Sequence, residues 1–318
     1  MKTLAFLALL PLAAGLATSA PAQTDRGGGG AAFTLVETGA AYATLGEAIA
    51  AIGEGEGTIL VAPGTYRQCA VQEAGSITLR ARERGSAIFE RTVCEDKAAL
   101  VLRGRSASVD GLVFQNYAVA DGNGAGIRLE QGNLSVTHSL FRDSEEGILT
   151  GSDEKGRIAI DRSTFRRLGR CDRDLDCAHS IYIGQYGQLS VTRSRFEAGN
   201  GGHYVKTRSP RVEILDNSFD DSEGHLTNYM IDLPAGSTGR VENNVMVQGK
   251  DKENYSAFIA LGAEGNDNGS TGLVVRGNRA SFVPGLERSS TFLADWTKDQ
   301  IALGENNLAE GVRRYDRR

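Results

Sequence analysis

Several features are scarce or missing in this sequence of 318 residues. Beyond the N-terminal segment, no run of about 18 apolar residues is present that would span a bilayer. Lysine and arginine do not occur in blocks, and the formal net charge of −5 leaves no electrostatic footprint for nucleic acid or for an anionic membrane. We therefore expect no nucleic-acid partner and no membrane span.

Catalytic motifs with fixed spacing are also missing. The sequence has no G-x-S-x-G, which argues against a Ser-His-Asp hydrolase with a nucleophile elbow. It has no C-x-x-C or H-E-x-x-H metal motif and no EF-hand spacing. Only six prolines accompany 40 glycines, a composition that suits many short strands joined by tight turns.

The first residues have the layout of a secretory signal peptide. Lys2 precedes an apolar run from Leu4 to Ala17, and Ala20-Pro21-Ala22 matches an A-x-A cleavage site. We therefore expect an exported protein that resides in the periplasm or outside the cell. We also expect it to be a monomer. The predicted organisation is a signal peptide over 1–22, a glycine-rich flexible leader over 23–32 and one folded domain over 33–318.

One octet of residues recurs along the folded part of the chain. In each copy apolar and polar residues alternate, as in a strand with one buried face, and Ser or Asn then precedes a large apolar residue. The separation between copies corresponds to one coil of a solenoid. The clearest copies are Leu134–Phe141, Ile158–Phe165, Leu189–Phe196 and Val212–Phe219.

A second short strand precedes each octet, as in Ile127–Leu129, Ile148–Thr150, Ile181–Ile183 and Met230–Leu233. Short strands stacked coil upon coil form parallel sheets, and each coil buries its apolar face only against its neighbours. Leucine-rich and propeller repeats fit worse, because no L-x-x-L-x-L frame and no W-D signature occurs. The predicted fold is all-β, a single right-handed parallel β-helix.

The start of the domain carries the one helical pattern. Thr44 is a predicted N-cap with Glu47 three residues later, and a helix over 45–52 follows. A strand and turn over Gly57–Tyr66 come next. This order resembles the opening of pectin-lyase-like β-helix proteins, in which a short helix caps the first coil. The resemblance extends from about Tyr42 to the C-terminal coils and implies the fold, but that scaffold hosts lyases, hydrolases, esterases, adhesins and binding proteins.

Four cysteines in an exported chain predict two disulfides, with three possible connectivities. We favour Cys69 with Cys94, because these residues are about one coil apart. The remaining pair, Cys171 with Cys177, closes a short loop.

Candidate site residues concentrate in the coils between two long insertions, one between Phe165 and Phe196 and one between Met246 and Ala280. Pectin-lyase-like enzymes place their sites outside one parallel sheet, in a groove walled by such loops. We predict that Ile181–Ile183 stacks on His203–Val205 and then on Ile231–Leu233, which puts three side chains in one outward line. Because side chains alternate along a strand, Lys206 and Arg208 should point outward as well. His203 is predicted to point inward or to start its strand, and His179 to precede its own. The three side chains in line are Tyr182, Tyr204 and Asp232.

The segment Gly202–Pro210 resembles the region of alginate- and chondroitin-cleaving β-helix lyases that holds the catalytic lysine, and Lys206 is the matching residue. The arginine of those lyases is not matched, because Asp232-Leu233-Pro234 stands in its place. The resemblance implies β-elimination on an acidic, uronic-acid polysaccharide. Lys206 or a tyrosine would be the base, and a cation would neutralise the substrate carboxylate.

The predicted residues therefore divide by role. The catalytic set is Lys206, Arg208, Tyr182, Tyr204 and His203, with Arg208 as the neutralising cation. The predicted substrate contacts are His179, Asp232 and Glu264. Calcium is the one cofactor that the sequence suggests, with oxygen ligands from Asp172, Asp174 and Asp176 or from Asp232 and Glu264.

Two other functions are alternatives to β-elimination. A non-catalytic glycan-binding or envelope protein would use the same outward aromatic side chains to stack on sugars. Polysaccharide hydrolysis ranks third, because it needs paired carboxylates and only Asp220-Asp221 occurs, while Asn-Thr-Asp and Gly-His-Gly motifs are missing.

Overall fold

The computed structural model describes residues 31–318, so the predicted signal peptide and almost all of the predicted leader lie outside the described residues. The described chain winds into a parallel β-solenoid of about nine turns. The predicted all-β class and single right-handed parallel β-helix are confirmed. None of the helices within 31–318 has the length and apolar content needed to cross a membrane.

Three sheets form the walls of the solenoid, and each coil contributes one strand to each sheet. In spatial order the first sheet contains Ala41–Tyr42, Phe33–Leu35, Glu56–Val61, Ser76–Ala81, Ser106–Asp110, Asn133–Thr137, Asp153–Asp161, Tyr186–Thr192, Arg211–Leu215, Thr238–Glu242, Val274–Arg276 and Ala302–Leu303. The second sheet contains Gly64–Tyr66, Ala87–Glu90, Val113–Gln115, Leu140–Ser144, Thr164–Leu168, Arg195–Glu197, Ser218–Asp220, Val245–Gln248, Arg279–Phe282 and Asn307–Leu308. The third sheet contains Ala70–Gln72, Ala98–Leu102, Ala125–Leu129, Glu146–Thr150, Ile181–Ile183, Val205–Thr207, Ile231–Leu233, Ala257–Leu261, Ser290–Asp295 and Val312–Arg317.

The N-terminal end of the solenoid is covered by the helix Leu45–Ile52. Its N-cap Thr44 accepts a hydrogen bond from the backbone N–H of Glu47, and the Glu47 carboxylate accepts one from the Thr44 N–H. This is the predicted capping box, which satisfies two N–H groups that the helix itself cannot pair. The helix buries Leu45, Ala48 and Ile49 against the first coil.

Stacked phenylalanines fill the interior beside the second sheet. Each ring lies at the same position of successive coils, and neighbouring ring centroids are 4.8–5.8 Å apart. These rings are the apolar anchors of the octets, and each is almost fully buried. The stack runs through Phe89, Phe114, Phe141, Phe165, Phe196 and Phe219 and is continued by Met246.

A second ladder occupies the turn before each anchor. From Ser163 onward, each Ser or Asn side-chain oxygen accepts the backbone N–H of its counterpart in the preceding coil, at 2.9–3.2 Å. The ladder satisfies backbone groups that the turn would otherwise bury without partners. Its members are Ser139, Ser163, Ser194, Asn217, Asn244, Asn278 and Asn306.

The structure contains both disulfides in the favoured pairing. Cys69 is joined to Cys94, and Cys171 is joined to Cys177. The second bond closes the first of the two long insertions, residues 169–180, between the strands Thr164–Leu168 and Ile181–Ile183. Two disulfides are typical of proteins from oxidising compartments.

Candidate functional site

A groove of about 870 Å³ runs along the outer face of the third sheet. Its floor is one row of outward side chains, each contributed by the next coil and separated by about 4.8 Å from its neighbours. Side chains at opposite positions of adjacent parallel strands therefore lie next to one another. The row is Arg128, Leu149, Tyr182, Lys206 and Asp232.

Both long insertions contribute to the groove, as the sequence predicts. The disulfide-closed loop supplies Asp176 and Cys177 to one wall. The second insertion, residues 262–273 after the strand Ala257–Leu261, supplies Glu264. The groove is therefore bounded by segments that vary in length from coil to coil, while its floor follows the regular repeat.

The predicted register of the floor is wrong by two residues. Tyr182 pairs with Lys206 rather than with Tyr204, because the strand begins only at Val205. Before that residue the chain turns, and the Tyr204 side chain enters the interior, where it is 1% exposed. Its hydroxyl donates a hydrogen bond to Asp221 at 2.7 Å and accepts one from the Gly199 N–H. Tyr204 is therefore a core residue and does not reach the groove.

Lys206 and Arg208 share one carboxylate, that of Glu264. The Lys206 Nζ atom lies 2.7 Å from one Glu264 oxygen, and Arg208 donates to the other. The pKa of Glu264 is lowered overall: burial opposes the shift, but the hydrogen bonds from the two cations outweigh it. Lys206 and Arg208 are thus both in direct contact with one carboxylate from the second insertion.

Tyr182 is held between the same two cations. Its hydroxyl oxygen accepts a hydrogen bond from the Arg208 Nε–H at 3.0 Å, and the Lys206 Nζ lies 5.4 Å from the centre of its ring. Since the phenolic oxygen already accepts from Arg208, its own proton remains available for donation into the groove. Tyr182, Lys206, Arg208 and Glu264 are the predicted site residues that the structure brings together most closely.

Two histidines and a tyrosine form a second outer row beside the floor. The ring of His203 stacks between those of His179 and Tyr229, with centroids 4.9 and 5.4 Å apart. The strand begins at Val205, so His203 lies two residues before it and does not start it as predicted, and it lines the groove together with His179. The Nδ1 atom of His179 accepts the His203 backbone N–H at 3.0 Å, so neutral His179 carries its proton on Nε2.

Burial controls the charge of these rings. It lowers the pKa of His179 to about 3 and that of His203 well below its usual value, with nearby positive charge acting in the same direction. Both histidines are therefore neutral near pH 7. They offer hydrogen-bonding groups, not cations, to whatever the groove binds.

Asp232 lies behind Lys206 at the end of the row. Its carboxylate is 3.7 Å from the Lys206 Nζ and 3.4 Å from the His203 Nε2, and its side chain is only 4% exposed. Burial raises its pKa to about 7, although Lys206 opposes the shift. Its position is outward as predicted, but the overlying side chains of Lys206 and His203 keep it from the open groove.

Glu146 is a groove residue that the sequence reasoning missed. It stands at the position that Ala98 and Ala125 occupy in the two preceding coils, and it is 1% exposed. Burial raises the pKa of its carboxyl group well above the usual value, with the His179 backbone N–H opposing the shift. A glutamate at a position that holds alanine in the two preceding coils could have indicated this residue. Recognising it, however, requires the correct register between the coils.

The acidic residues of the disulfide loop do not form a metal centre. Within residues 31–318, no group of three or more His, Cys, Asp or Glu side chains is arranged to hold a metal ion. Asp172 instead pairs with Arg170 at 2.5 Å and with Arg173 at 3.5 Å. These ion pairs give Asp172 a role in stabilising the loop, and a calcium requirement stays a prediction from the sequence.

The aspartate pair considered for hydrolysis is also engaged elsewhere. Asp221 is fully buried and accepts hydrogen bonds from Lys252 and Tyr204, which keeps it from a glycosidic bond. Asp220 belongs to the second sheet, away from the groove. The geometry therefore offers no support for this pair as the two carboxylates of a hydrolase.

No protein-family model and no curated protein matches the chain. Among solved structures, the chain is similar to an alginate lyase of family PL6, AlyGC, with a TM-score of 0.49 and 14% sequence identity. The alignment covers 79% of this chain and 36% of that protein, so the chain spans about a third of the length of the lyase.

Proposed function

We propose that this protein is an exported enzyme that cleaves an acidic, uronic-acid polysaccharide by β-elimination. One observation carries the proposal: Lys206 and Arg208 converge in the groove on a single carboxylate, and Arg208 also holds the Tyr182 hydroxyl beside them. The arrangement provides an amine, a cation and a phenol within one sugar ring's width. These are the groups that such a reaction needs.

The roles follow from the contacts. Arg208 binds the carboxylate at C5 of the uronate and stabilises the charge that develops there when the C5 proton leaves. Lys206 is the base that removes that proton. Tyr182, whose oxygen is held by the Arg208 Nε, gives its proton to the leaving O4 as the C4–O4 bond breaks. The C–H electron pair becomes the C4–C5 double bond, and the bond electrons to oxygen leave with O4.

The row of floor residues explains why a chain-like substrate suits the groove. Arg128, Leu149, Tyr182 and Lys206 lie on successive strands about 4.8 Å apart. The neutral rings of His179 and His203 line the same groove and can contact sugar hydroxyl groups. Two cations of the row line the groove, Arg128 and Lys206, and they favour a polymer that carries repeated negative charges.

A second function is favoured by the ion pair of Lys206 with Glu264. A lysine held in an ion pair binds anions rather than removing protons, so a glycan-binding protein without catalysis would show the same contact. Both functions use the same groove and the same class of ligand. They differ in whether the bound chain is cleaved.

The deciding experiment is an assay of the purified mature protein on uronic-acid polysaccharides, with and without Ca²⁺. Elimination creates an unsaturated product that absorbs in the ultraviolet. We expect the absorbance to rise with at least one polysaccharide, and Lys206→Ala to abolish the rise while only weakening binding. Lys250→Ala, which removes an exposed lysine away from the groove, is the matched control. Binding without any rise in absorbance would overturn catalysis and favour the glycan-binding function.

A further inference from the structure

We propose that Glu264 is an internal ligand that occupies the place of the substrate carboxylate, so that a polysaccharide must displace it to bind. This inference rests on the proposed function of the groove. It assigns Glu264 a specificity role: the residue competes with the substrate and selects for ligands that carry a carboxylate.

The placement of Glu264 supports this role. Its side chain is 43% exposed, whereas those of Lys206 and Arg208 below it are 12% and 29% exposed. The carboxylate therefore covers the two cations from the solvent side. A ligand that enters from solvent meets Glu264 before it meets either cation.

The contacts of Glu264 are those that a uronate would need. One oxygen accepts from the Lys206 Nζ and the other from an Arg208 terminal nitrogen. A carboxylate on a sugar has the same charge and the same two acceptor oxygens, so it competes for the same donors. While Glu264 holds these two donors from the solvent side, an incoming carboxylate reaches them in the same way only by displacing it.

The backbone of the loop around Glu264 is held independently of the Glu264 side chain. Gly262 and Gly265 flank it with φ values of 73° and 143°, conformations that favour glycine. The Glu264 backbone N–H is bonded to the Pro234 carbonyl oxygen at 3.0 Å, which anchors the loop on the neighbouring coil. A change of the Glu264 rotamer alone would uncover the cations without moving this anchor.

The competition would sharpen the preference for acidic ligands that Lys206 and Arg208 already give. A neutral glycan gains no ion pair when it displaces Glu264 and leaves its carboxylate without partners, whereas a uronate replaces one ion pair by another. Ion pairs of part-exposed side chains are weak. An incoming polymer with several carboxylates can therefore outcompete the single one of the loop.

The test compares wild type with Glu264→Gln, which keeps the shape of the side chain and removes its charge. The probes are size-defined oligosaccharides of mannuronate, guluronate, galacturonate and glucuronate, with neutral hexose oligomers of equal length alongside. We expect calorimetry to show about tenfold tighter binding of an acidic oligosaccharide to Glu264→Gln, because a competing anion is removed. Glu287→Gln makes the same change of charge at an exposed position outside the groove and should leave binding unchanged.

The outcomes separate the two proposals. If wild type binds an acidic oligosaccharide and Glu264→Gln binds it equally or more weakly, Glu264 helps to hold the substrate and the competition is refuted, while the proposed function stands. If Glu287→Gln tightens binding as much, the effect is one of overall charge and the inference falls. If neither wild type nor Glu264→Gln binds any acidic probe, the proposed function falls. Glu264→Ala, which also removes hydrogen bonding, should tighten binding in the same direction.

Discussion

Lys206 and Asp232 lie opposite one another on adjacent strands of the third sheet, with Nζ and Oδ2 3.7 Å apart. Burial raises the pKa of Asp232 to about 7, so its carboxyl group is half protonated near neutrality. Through the same range the two histidines stay neutral and Glu264 stays ionised, given the lowered pKa values of all three. The net charge beside Lys206 therefore changes with the ionisation of one buried group.

This relationship predicts how ligand binding depends on pH. As pH rises through about 7, Asp232 gains a negative charge behind Lys206, and the groove attracts an acidic polysaccharide less strongly. We expect the dissociation constant of a polyuronate to rise about fivefold between pH 6 and pH 8. In Asp232→Asn the rise should disappear, and affinity should stay near the value of wild type at pH 6. An unchanged pH profile in this variant would show that another group controls binding.

A second prediction concerns the hydroxyl of Tyr182. In Tyr182→Phe the ring remains under the Lys206 Nζ, but the oxygen that accepts from Arg208 is lost. Loss of the proton donor for the leaving group should lower turnover about 10²- to 10⁴-fold. The dissociation constant measured by calorimetry should change by less than about threefold, since the ring contact is kept. Tyr255→Phe, at an exposed tyrosine outside the groove, is the control; equal losses in turnover and affinity would assign Tyr182 to binding only.

A third prediction concerns stability in acid. The pKa of His179 is about 3 in the folded protein and about 6.5 when the chain is unfolded, so the unfolded chain takes up the proton first. Its contribution to stability is complete above pH 6.5 and is lost as pH falls towards 3. The loss amounts to about 1.4 kcal/mol for each pH unit in that range.

His179→Gln should remove that part of the slope. We would measure free energies of unfolding by denaturant titration at pH 7.5, 5.5 and 4.5, and compare the variant with wild type. The variant should lose about 1.4 kcal/mol less per pH unit below 6. Two parallel curves would show that His179 is protonated at the same pH in the folded and unfolded states.

A fourth prediction concerns the ladder in the turns. The Asn244 side chain accepts the Asn217 N–H and donates to the Ile214 carbonyl oxygen, and it is fully buried. Asn244→Ala leaves these backbone groups without partners and should lower the free energy of unfolding by about 3 kcal/mol. The exposed Asn307 provides the control, and Asn307→Ala should change stability by less than about 0.5 kcal/mol. Equal effects of the two substitutions would contradict a structural role for the ladder.

The periodic part of the structure could be predicted from the sequence because each coil repeats one physical requirement. The position of Phe165 lies in the interior of each copy of the octet, and the position of Asn217 lies in its turn. The stack and the ladder therefore follow once the repeat is found. The capping helix could be predicted for a similar reason, since Thr44 and Glu47 form their bonds within four residues of chain.

The site could be predicted only in part, because its geometry depends on places where the repeat is interrupted. Alternation of side chains holds only in extended backbone, and the chain turns just before Val205, which takes Tyr204 into the core. Glu264 reaches Lys206 across 58 residues from an insertion of irregular length. No local pattern records such a contact, whereas Lys206 could be identified from its segment alone.

The strand edges at the two ends of the described solenoid are protected in different ways. At the N-terminal end, Phe33–Leu35 pairs in antiparallel orientation with Glu56–Val61, and Ala41–Tyr42 pairs with Phe33–Leu35. At the other end the last strand of the third sheet, Val312–Arg317, carries three arginines and an aspartate. Reversed strand direction and repelling charge both oppose the addition of another parallel strand. Both features hinder the pairing of another molecule's strand with these edges, and a variant shortened past residue 42 would present a free parallel edge that invites fibre growth.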